Sequence, residues 1–223
     1  MKAALIIGHA GHELRVLKFI ELFKPVVCIL TDGSGSSGVS RIENTFEVLE
    51  YYDCYEHFFY LTDKEMYEAI LGEKAKKITA IKNIIRERIR YCDLVLGDSA
   101  EGFNPTHDLC RAIINSIAGN RANYEFDLDK KPEPLDITIK LSQEDKIKRD
   151  EHIKNYPEIQ KEVDMAKEHW GEDAFDFEYL RLANTKERTG KPFYETGGGV
   201  RVNEGVYKEL ITEQHLKNII SHL

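Results

Sequence analysis

The chain has 223 residues, 42% of them hydrophobic, and a formal net charge of −8. This size allows one domain with a sizeable core, and the interleaved acidic surplus argues against a general affinity for nucleic acid or anionic lipid. Every apolar run is shorter than the ~20 residues of a membrane span. We therefore expect no membrane span, a cytoplasmic location and a small-molecule substrate, and we leave a homo-oligomer open.

Short apolar runs alternate with helical patterns over the first 120 residues. The pattern predicts strands at 3–7, 26–30, 58–61 and 94–96, and helices at 13–23, 41–51, 78–91 and 106–117. Continuous apolar strands separated by helices are typical of a parallel sheet with both faces covered. The predicted fold class is therefore α/β, a Rossmann-like three-layer fold with a mainly parallel sheet.

The rhythm changes after residue 120. Strands are predicted at 124–129 and 137–141, on either side of the turn sequence KPEP at 131–134, and charged helical material at 142–170 with an interruption at Pro157. Mixed loops are predicted from residue 171, followed by a last helix that begins near 204 or 212. We predict a single domain, in which residues 1–120 form the core and residues 121–223 form additional elements and an extension over the strand ends.

Polar residues follow three of the predicted strands. His9 comes after the first strand, Asp32 after the second and Asp98 after the fourth. In an open parallel sheet, ligands bind at the carboxyl ends of the strands, near the point where the strand order reverses. These residues are therefore expected at one ligand-binding rim.

The segment GHAGHELR, residues 8–15, allows a metal site at this rim. Neutral imidazole is a good zinc ligand, and catalytic zinc sites use three protein ligands and keep one position open. His9 and His12 could share an ion with His107, which follows the fourth strand. The HxxH spacing is common, however, and it also suits surface or capping histidines.

A dinucleotide site is the competing interpretation of the same segment. The fingerprint G-x-G-x-x-G is matched only at Gly8, because Ala10 and Glu13 occupy the other glycine places. A glutamate at the third place would block close helix packing and repel a pyrophosphate. Asp32 consequently has little support as a ribose-binding acid.

Four segments together resemble the PIG-L (LmbE-like) family of zinc-dependent N-deacetylases. They are GHAGHEL at 8–14, LTDGSGSSG with SRIENTFEVLE at 30–50, NPTH at 104–107, and PFYETGGGVRVNEGVYKELITEQHL at 192–216. The resemblance implies a Rossmann-like fold, a zinc ion or another divalent transition metal, and removal of acetyl groups from N-acetylglucosamine-type substrates. In the family motifs AHPDDE and HPDH, the first histidine, the second aspartate and the last histidine bind zinc.

The resemblance places the metal ligands at His9, His12 and His107, where His12 stands in place of the ligand aspartate. Two positions depart from the family pattern. Gly11 occupies the place of the general-base aspartate and cannot accept a proton. Asn104 occupies the place of the histidine that stabilises the oxyanion, and its amide can still donate a hydrogen bond.

Another carboxylate must replace the missing base if hydrolysis is retained. Asp98 is the first candidate, and Glu13, which matches the final acid of the family motif, ranks behind it. Arg41 matches an arginine that the family places near the substrate. Asp32 and Glu101 are further candidates for substrate contact, and the alternative role of Asp32 is to cap the Asp-Gly turn.

Together with these residues, the resemblance implies a metal-dependent amidohydrolase, an N-deacetylase of an N-acetylated sugar or a related small amide. One alternative is a catalytically reduced protein that keeps the fold for sugar binding or protein interaction. The other is a nucleotide-binding protein that uses residues 8–13 and Asp32.

Overall fold

A seven-stranded sheet forms the centre of the structure, a computed structural model that describes residues 1–35, 37–128, 136–183 and 190–223. The strand order is β3-β2-β1-β4-β5-β7-β6. The first five strands pair in parallel, and β7 runs antiparallel to both β5 and β6. The strands are β1 Ala3–His9, β2 Val26–Thr31, β3 Tyr55–Phe58, β4 Leu94–Asp98, β5 Ala122–Phe126, β6 Ile137–Lys140 and β7 Phe177–Leu182. The predicted α/β fold with a mainly parallel sheet is confirmed.

Helices cover both faces of the sheet. A short 3₁₀ helix, His12–Arg15, follows β1. The α-helices are α1 Leu17–Phe23, α2 Ile42–Tyr51, α3 Asp63–Leu71, α4 Ala75–Arg88, α5 Pro105–Ala118, α6 Gln143–Lys154, α7 Pro157–Trp170, α8 Phe193–Thr196, α9 Gly199–Asn203 and α10 Glu213–Ile220. Within the described ranges, no helix combines the length and apolar content needed to cross a bilayer.

The apolar run of β1 explains why this strand lies at the centre of the sheet. All seven of its residues are buried. Leu5 and Ile7 belong to the core on one face, together with α1, α2, α6 and α7, whereas Ala4 and Ile6 belong to the core on the other face. Full burial of a Leu or Ile side chain contributes about 1.5–3 kcal/mol, so a strand with two buried faces favours apolar residues throughout.

Several predicted boundaries are wrong. The third strand lies at Tyr55–Phe58 rather than at 58–61, because it pairs with Val26–Ile29 and the chain turns at Tyr60, whose φ is 53°. The first predicted helix is divided into the 3₁₀ helix and α1, since Val16 has a non-helical φ of −140°. The last helix begins at Glu213, the later of the two expected starts.

Four elements were not predicted at all: α3, β7, and the short helices α8 and α9, which lie where loops were expected. Helix α3 begins with a capping box between Thr62 and Glu65 directly after β3, and it is only nine residues long. Strand β7 lies in a stretch that was expected to be loops, because it carries charged residues. Its Glu178 accepts hydrogen bonds from backbone N–H groups at the start of α1, and its Arg181 pairs with Glu125. The predicted KPEP turn and residue 129 lie outside the described residues.

The strand order reverses between β1 and β4. Strands β2 and β3 lie on one side of β1, while β4 and β5 continue on the other side. Connections from β1 and from β4 therefore leave in opposite directions, and the crevice between their carboxyl ends is where ligands bind in open α/β sheets. His9 ends β1 and Asp98 ends β4, so both predicted site residues lie at this crevice.

Candidate metal centre

Three histidines meet above the carboxyl ends of β1 and β4; we refer to His9, His12 and His107 as the three-histidine cluster. The ring centroid of His9 lies 5.1 Å from that of His12 and 5.1 Å from that of His107, and the centroids of His12 and His107 are 4.8 Å apart. One ring nitrogen of each residue lies within 4.8 Å of the others. Separations of this size allow three imidazoles to bind one ion between them after small side-chain movements.

Local backbone geometry brings the three rings together. His9 ends β1, and Gly11, with a φ of 105°, turns the chain so that His12 starts the 3₁₀ helix. Asn104 and Pro105 begin α5: the Asn104 Oδ1 accepts a hydrogen bond from Thr106 N–H at 2.8 Å, and proline fixes the first helical residue. His107 therefore lies in the first turn of α5, close to β1.

A buried carboxylate fixes the ring of His9. Asp63, the first residue of α3, has its Oδ1 2.7 Å from His9 Nδ1, and the Thr31 hydroxyl lies 2.7 Å from the same nitrogen. Asp63 Oδ2 also accepts the N–H of Gly35 at 2.7 Å. Asp63 was not predicted, because it follows β3 in a segment without a recognisable motif.

A second buried carboxylate fixes the ring of His12. Asp98 Oδ2 lies 3.0 Å from His12 Nδ1 and accepts the N–H of Gly8 at 2.7 Å. Asp98 is fully buried, and its Oδ1 has no hydrogen-bond partner among the residues that the structure describes. Asp98 thus joins β1, β4 and the three-histidine cluster.

The electrostatics of the cluster favour neutral imidazole at one position and anionic carboxylates around it. Burial, together with the nearby His12 and His9, holds the pKa of His107 well below its usual value. Burial opposes ionisation of Asp98, but the adjacent His12 lowers the pKa of that carboxyl below its ordinary value. Burial likewise opposes the charged His9, yet Asp63 raises the pKa of the imidazole. Neutral His107 is the form that can bind a metal ion.

The place of the family's general base is filled by other groups. A Cβ atom on Gly11 would lie 2.9 Å from Ile159 Cδ1, 3.4 Å from the Tyr156 hydroxyl and 3.7 Å from a terminal nitrogen of Arg41. Ile159 belongs to α7, and Tyr156 directly precedes that helix. Side chains from the second half of the chain therefore occupy the space that a side chain at position 11 would enter.

Glu13 is fully buried beside the Gly11 turn and hydrogen-bonds to it. Its Oε2 accepts the N–H of Gly11 at 2.8 Å, and its Oε1 accepts the hydroxyl of Thr45 at 2.9 Å. Burial raises the pKa of Glu13 to about 7. Since both oxygens already hold the Gly11 turn, Glu13 is less available than Asp98 as a proton acceptor.

Asn104 lies at the edge of the crevice. While its Oδ1 caps α5, its Nδ2 donates to the hydroxyl of Tyr67 at 3.2 Å. An amide nitrogen carries two hydrogens, so one remains for a second acceptor. Tyr67 is buried on α3 and packs edge-on against Tyr207 from the C-terminal part of the chain.

The three predicted substrate-binding residues have protein partners. Asp32 Oδ1 accepts hydrogen bonds from the N–H and hydroxyl of Ser34, which is the turn-capping role considered as its alternative. Glu101 accepts the hydroxyl of Ser99 and lies in the loop after β4. Arg41 is largely buried, and its guanidinium forms an ion pair with Glu162 of α7. The side chain of Glu162 is 59% exposed. The hydroxyl of Tyr156 fixes the backbone carbonyl of Arg41 at 2.9 Å.

Comparisons with known proteins find structural relatives only. No family model and no curated protein sequence matches the chain. A deacetylase–teicoplanin complex from the biosynthesis pathway of teicoplanin superimposes with a TM-score of 0.58 at 11% identity, covering 82% of this chain and 100% of that one. The zinc-inhibited form of a teicoplanin deacetylase gives 0.56 at 12% identity, covering 83% and 100%. At this level of identity, the likenesses show that the chain has the fold of these deacetylases.

Proposed function

We propose that the chain is a divergent PIG-L-type protein that binds a divalent transition metal and hydrolyses the amide of an N-acylated sugar or a related small molecule. The observation that carries this proposal is the convergence of His9, His12 and His107 at the crevice between β1 and β4. Three imidazole nitrogens favour zinc or a neighbouring transition metal over magnesium or calcium, which prefer oxygen ligands. The shared fold with zinc-inhibited teicoplanin deacetylase supports the same assignment.

The ring nitrogens of the cluster fit this role. The Nδ1 atoms of His9 and His12 face the carboxylates of Asp63 and Asp98. The opposite nitrogen of His9, Nε2, is buried and has no hydrogen-bond partner within the described part of the chain. A buried polar atom without a partner is costly, and coordination to a metal ion would remove that cost.

Two groups of the chain would assist amide hydrolysis. When bound, the metal supplies Lewis-acid chemistry, because it polarises a carbonyl oxygen and acidifies water. Asp98 Oδ1, the carboxylate oxygen without a partner among the described residues, accepts the proton that water loses. The second N–H of the Asn104 amide donates to the oxygen that becomes negative in the transition state. Glu13 supports the Gly11 turn and is the second candidate for proton transfer.

Substrate contact is proposed for Arg41, Asp32 and Glu101. Arg41 can exchange its exposed partner Glu162 for a hydroxyl or anionic group of the substrate, because the carboxylate of Glu162 returns to water at little cost. Asp32 and Glu101 lie in the loops after β2 and β4 and would accept hydrogen bonds from sugar hydroxyls.

The test measures metal content and acetate release together. Elemental analysis of the purified wild type should find about one transition-metal ion per chain, and a panel of N-acetylhexosamines should release acetate. We expect His9→Ala and His107→Ala to lose both properties. His169→Ala is the matched control, since this exposed histidine hydrogen-bonds, among the described residues, only to the carbonyl of Met165 in its own helix. Full metal occupancy in both cluster variants would refute the ligand set.

A catalytically reduced protein is the second candidate function, and one observation favours it. The position of the usual base is occupied by Gly11 and covered by Ile159. A general base typically contributes 10² to 10⁴-fold to the rate, so its loss can leave a metal-binding protein with little hydrolysis. Stoichiometric metal without acetate release from any N-acylated sugar would support this second candidate over the first.

A further inference from the structure

We propose that Asp63 is a positioning residue for the metal: it holds His9 with Nε2 directed to the ion and, with Asp98, supplies the negative charge that the ligand set itself lacks. This inference rests on the metal site of the proposed function. It concerns a residue outside every motif noted in the sequence, because Asp63 follows β3 and opens α3.

The contacts of Asp63 are those of a fixed carboxylate. Its Oδ1 lies 2.7 Å from His9 Nδ1 and accepts the hydroxyl of Thr31 at 2.5 Å, and its Oδ2 accepts the N–H of Gly35 at 2.7 Å. Its own N–H donates to Asp32 Oδ1 at 3.2 Å. Asp63 is 3% exposed, so water has little access to its carboxylate and competes weakly for these hydrogen bonds. The carboxylate can move little without breaking several hydrogen bonds.

This arrangement selects one tautomer of His9. A carboxylate accepts hydrogen bonds, so the nitrogen that faces Asp63 Oδ1 carries the proton. The proton on Nδ1 leaves the lone pair on Nε2, the buried atom of His9 without a partner among the described residues. Carboxylates that accept a hydrogen bond from a ligand histidine orient its ring and increase its basicity toward the metal.

The second carboxylate repeats the arrangement at the neighbouring ligand. Asp98 Oδ2 lies 3.0 Å from His12 Nδ1, as Asp63 does from His9 Nδ1. Three neutral imidazoles leave the charge of a divalent ion uncompensated in a buried crevice, which is unfavourable. Two buried carboxylates one hydrogen bond away balance this charge. The family's ligand aspartate is replaced by His12, and its negative charge is restored behind the imidazoles.

The experiment uses the full chain and cobalt(II) as a spectroscopic substitute for zinc. The protein is stripped with a chelator, and cobalt affinity is measured from the visible absorption of the ion in competition with a chelating dye. We expect Asp63→Asn and Asp63→Ala to weaken cobalt binding by about 10 to 100-fold, the usual effect of losing such a hydrogen-bonded carboxylate. Asp63→Glu should recover part of the affinity, because it restores the charge with imperfect geometry.

Asp32→Asn is the matched control. Asp32 holds the backbone of Asp63 and of Ser34, but it does not contact a ligand histidine in the described structure. It should therefore disturb the loop after β2 and leave cobalt affinity near that of the wild type. If Asp32→Asn weakens cobalt binding as much as Asp63→Asn does, loop structure rather than positioning of His9 explains the effect, and the inference is wrong.

A second readout separates positioning from general loss of structure. In the zinc-loaded wild type, long-range ¹⁵N NMR should show His9 protonated at Nδ1 and slow exchange of that proton. Asp63→Ala should speed this exchange while the metal-free variant keeps the circular dichroism of the wild type. Wild-type cobalt affinity in Asp63→Ala, or a His9 protonated at Nε2, would overturn the inference. If metal binds with the expected dependence on Asp63 but no substrate is hydrolysed, only the hydrolase proposal fails.

Discussion

Replacing Gly11 by aspartate would put a carboxylate where the PIG-L motif has its general base. We expect the substitution to destabilise the protein without increasing acetate release. Gly11 has a φ of 105° and a ψ of −21°, which L-residues rarely adopt, and its Cβ would lie 2.9 Å from Ile159 Cδ1. The strained backbone alone costs about 1–3 kcal/mol.

The magnitude follows from adding the contact to this strain. Ile159 Cδ1 is the end of a flexible side chain, so relief of the contact should add about 1 kcal/mol. The total of about 3 kcal/mol corresponds to a decrease in Tm of roughly 6–12 °C for a domain of this size. Gly11→Ala should show most of this loss, and Ile159→Val, which deletes Cδ1, should reduce it when the two changes are combined.

Gly38→Asp is the control for the backbone contribution. Gly38 also has a positive φ, 70°, but a Cβ there would meet no atom of the described residues within 4 Å. The Gly38→Asp substitution should lower the free energy of unfolding by only about 1–2 kcal/mol. Thermal unfolding and acetate release are measured on all variants. A Gly11→Asp protein as stable as Gly38→Asp, or one with faster hydrolysis than the wild type, would refute the reasoning.

Two further predictions concern buried charges. Burial raises the pKa of Glu178 from 4.5 to about 7, so the folded state binds more protons than the unfolded state between these values. The contribution of Glu178 to the free energy of unfolding should therefore decrease by about 3 kcal/mol as pH rises from 4.5 to 7. Urea unfolding of Glu178→Gln should lack this pH dependence. The same pH dependence of unfolding in both proteins would contradict the prediction. Arg111 is fully buried beside Glu125 at 3.4 Å. Arg111→Met should cost about 2–5 kcal/mol, because the buried carbonyls of Asp98 and Tyr124 lose the guanidinium that donates to them and Glu125 keeps only Arg181. Exposed Arg86→Met should cost little, and similar losses in both variants would contradict this prediction.

The order of strands and helices over the first 120 residues could largely be read from the sequence, since apolar runs such as β1 are buried on both faces. Strand β7 could not, because its charged residues are satisfied by partners distant in the chain, such as Glu125 for Arg181. Helix α3 was not predicted, because it is short and its N-cap follows directly after a strand.

The residues of the three-histidine cluster were predicted together, because they end strands or begin helices at one rim of the sheet. The groups around them were not predicted. Asp63 contacts His9 only because β3 lies beside β2, and Ile159 reaches Gly11 from α7, almost 150 residues later in the sequence. No local pattern encodes contacts of this kind, which depend on how whole elements pack.

The distance along the chain between His9 and His107 has a thermodynamic consequence. An ion held by both residues would connect the end of β1 to the start of α5 across roughly a hundred intervening residues, a connection that the unfolded chain lacks. Ligand present at about 100 times its Kd would then stabilise the folded state by about 2.7 kcal/mol. Melting curves recorded with a series of divalent ions would thus rank the preferred metal before any substrate is known.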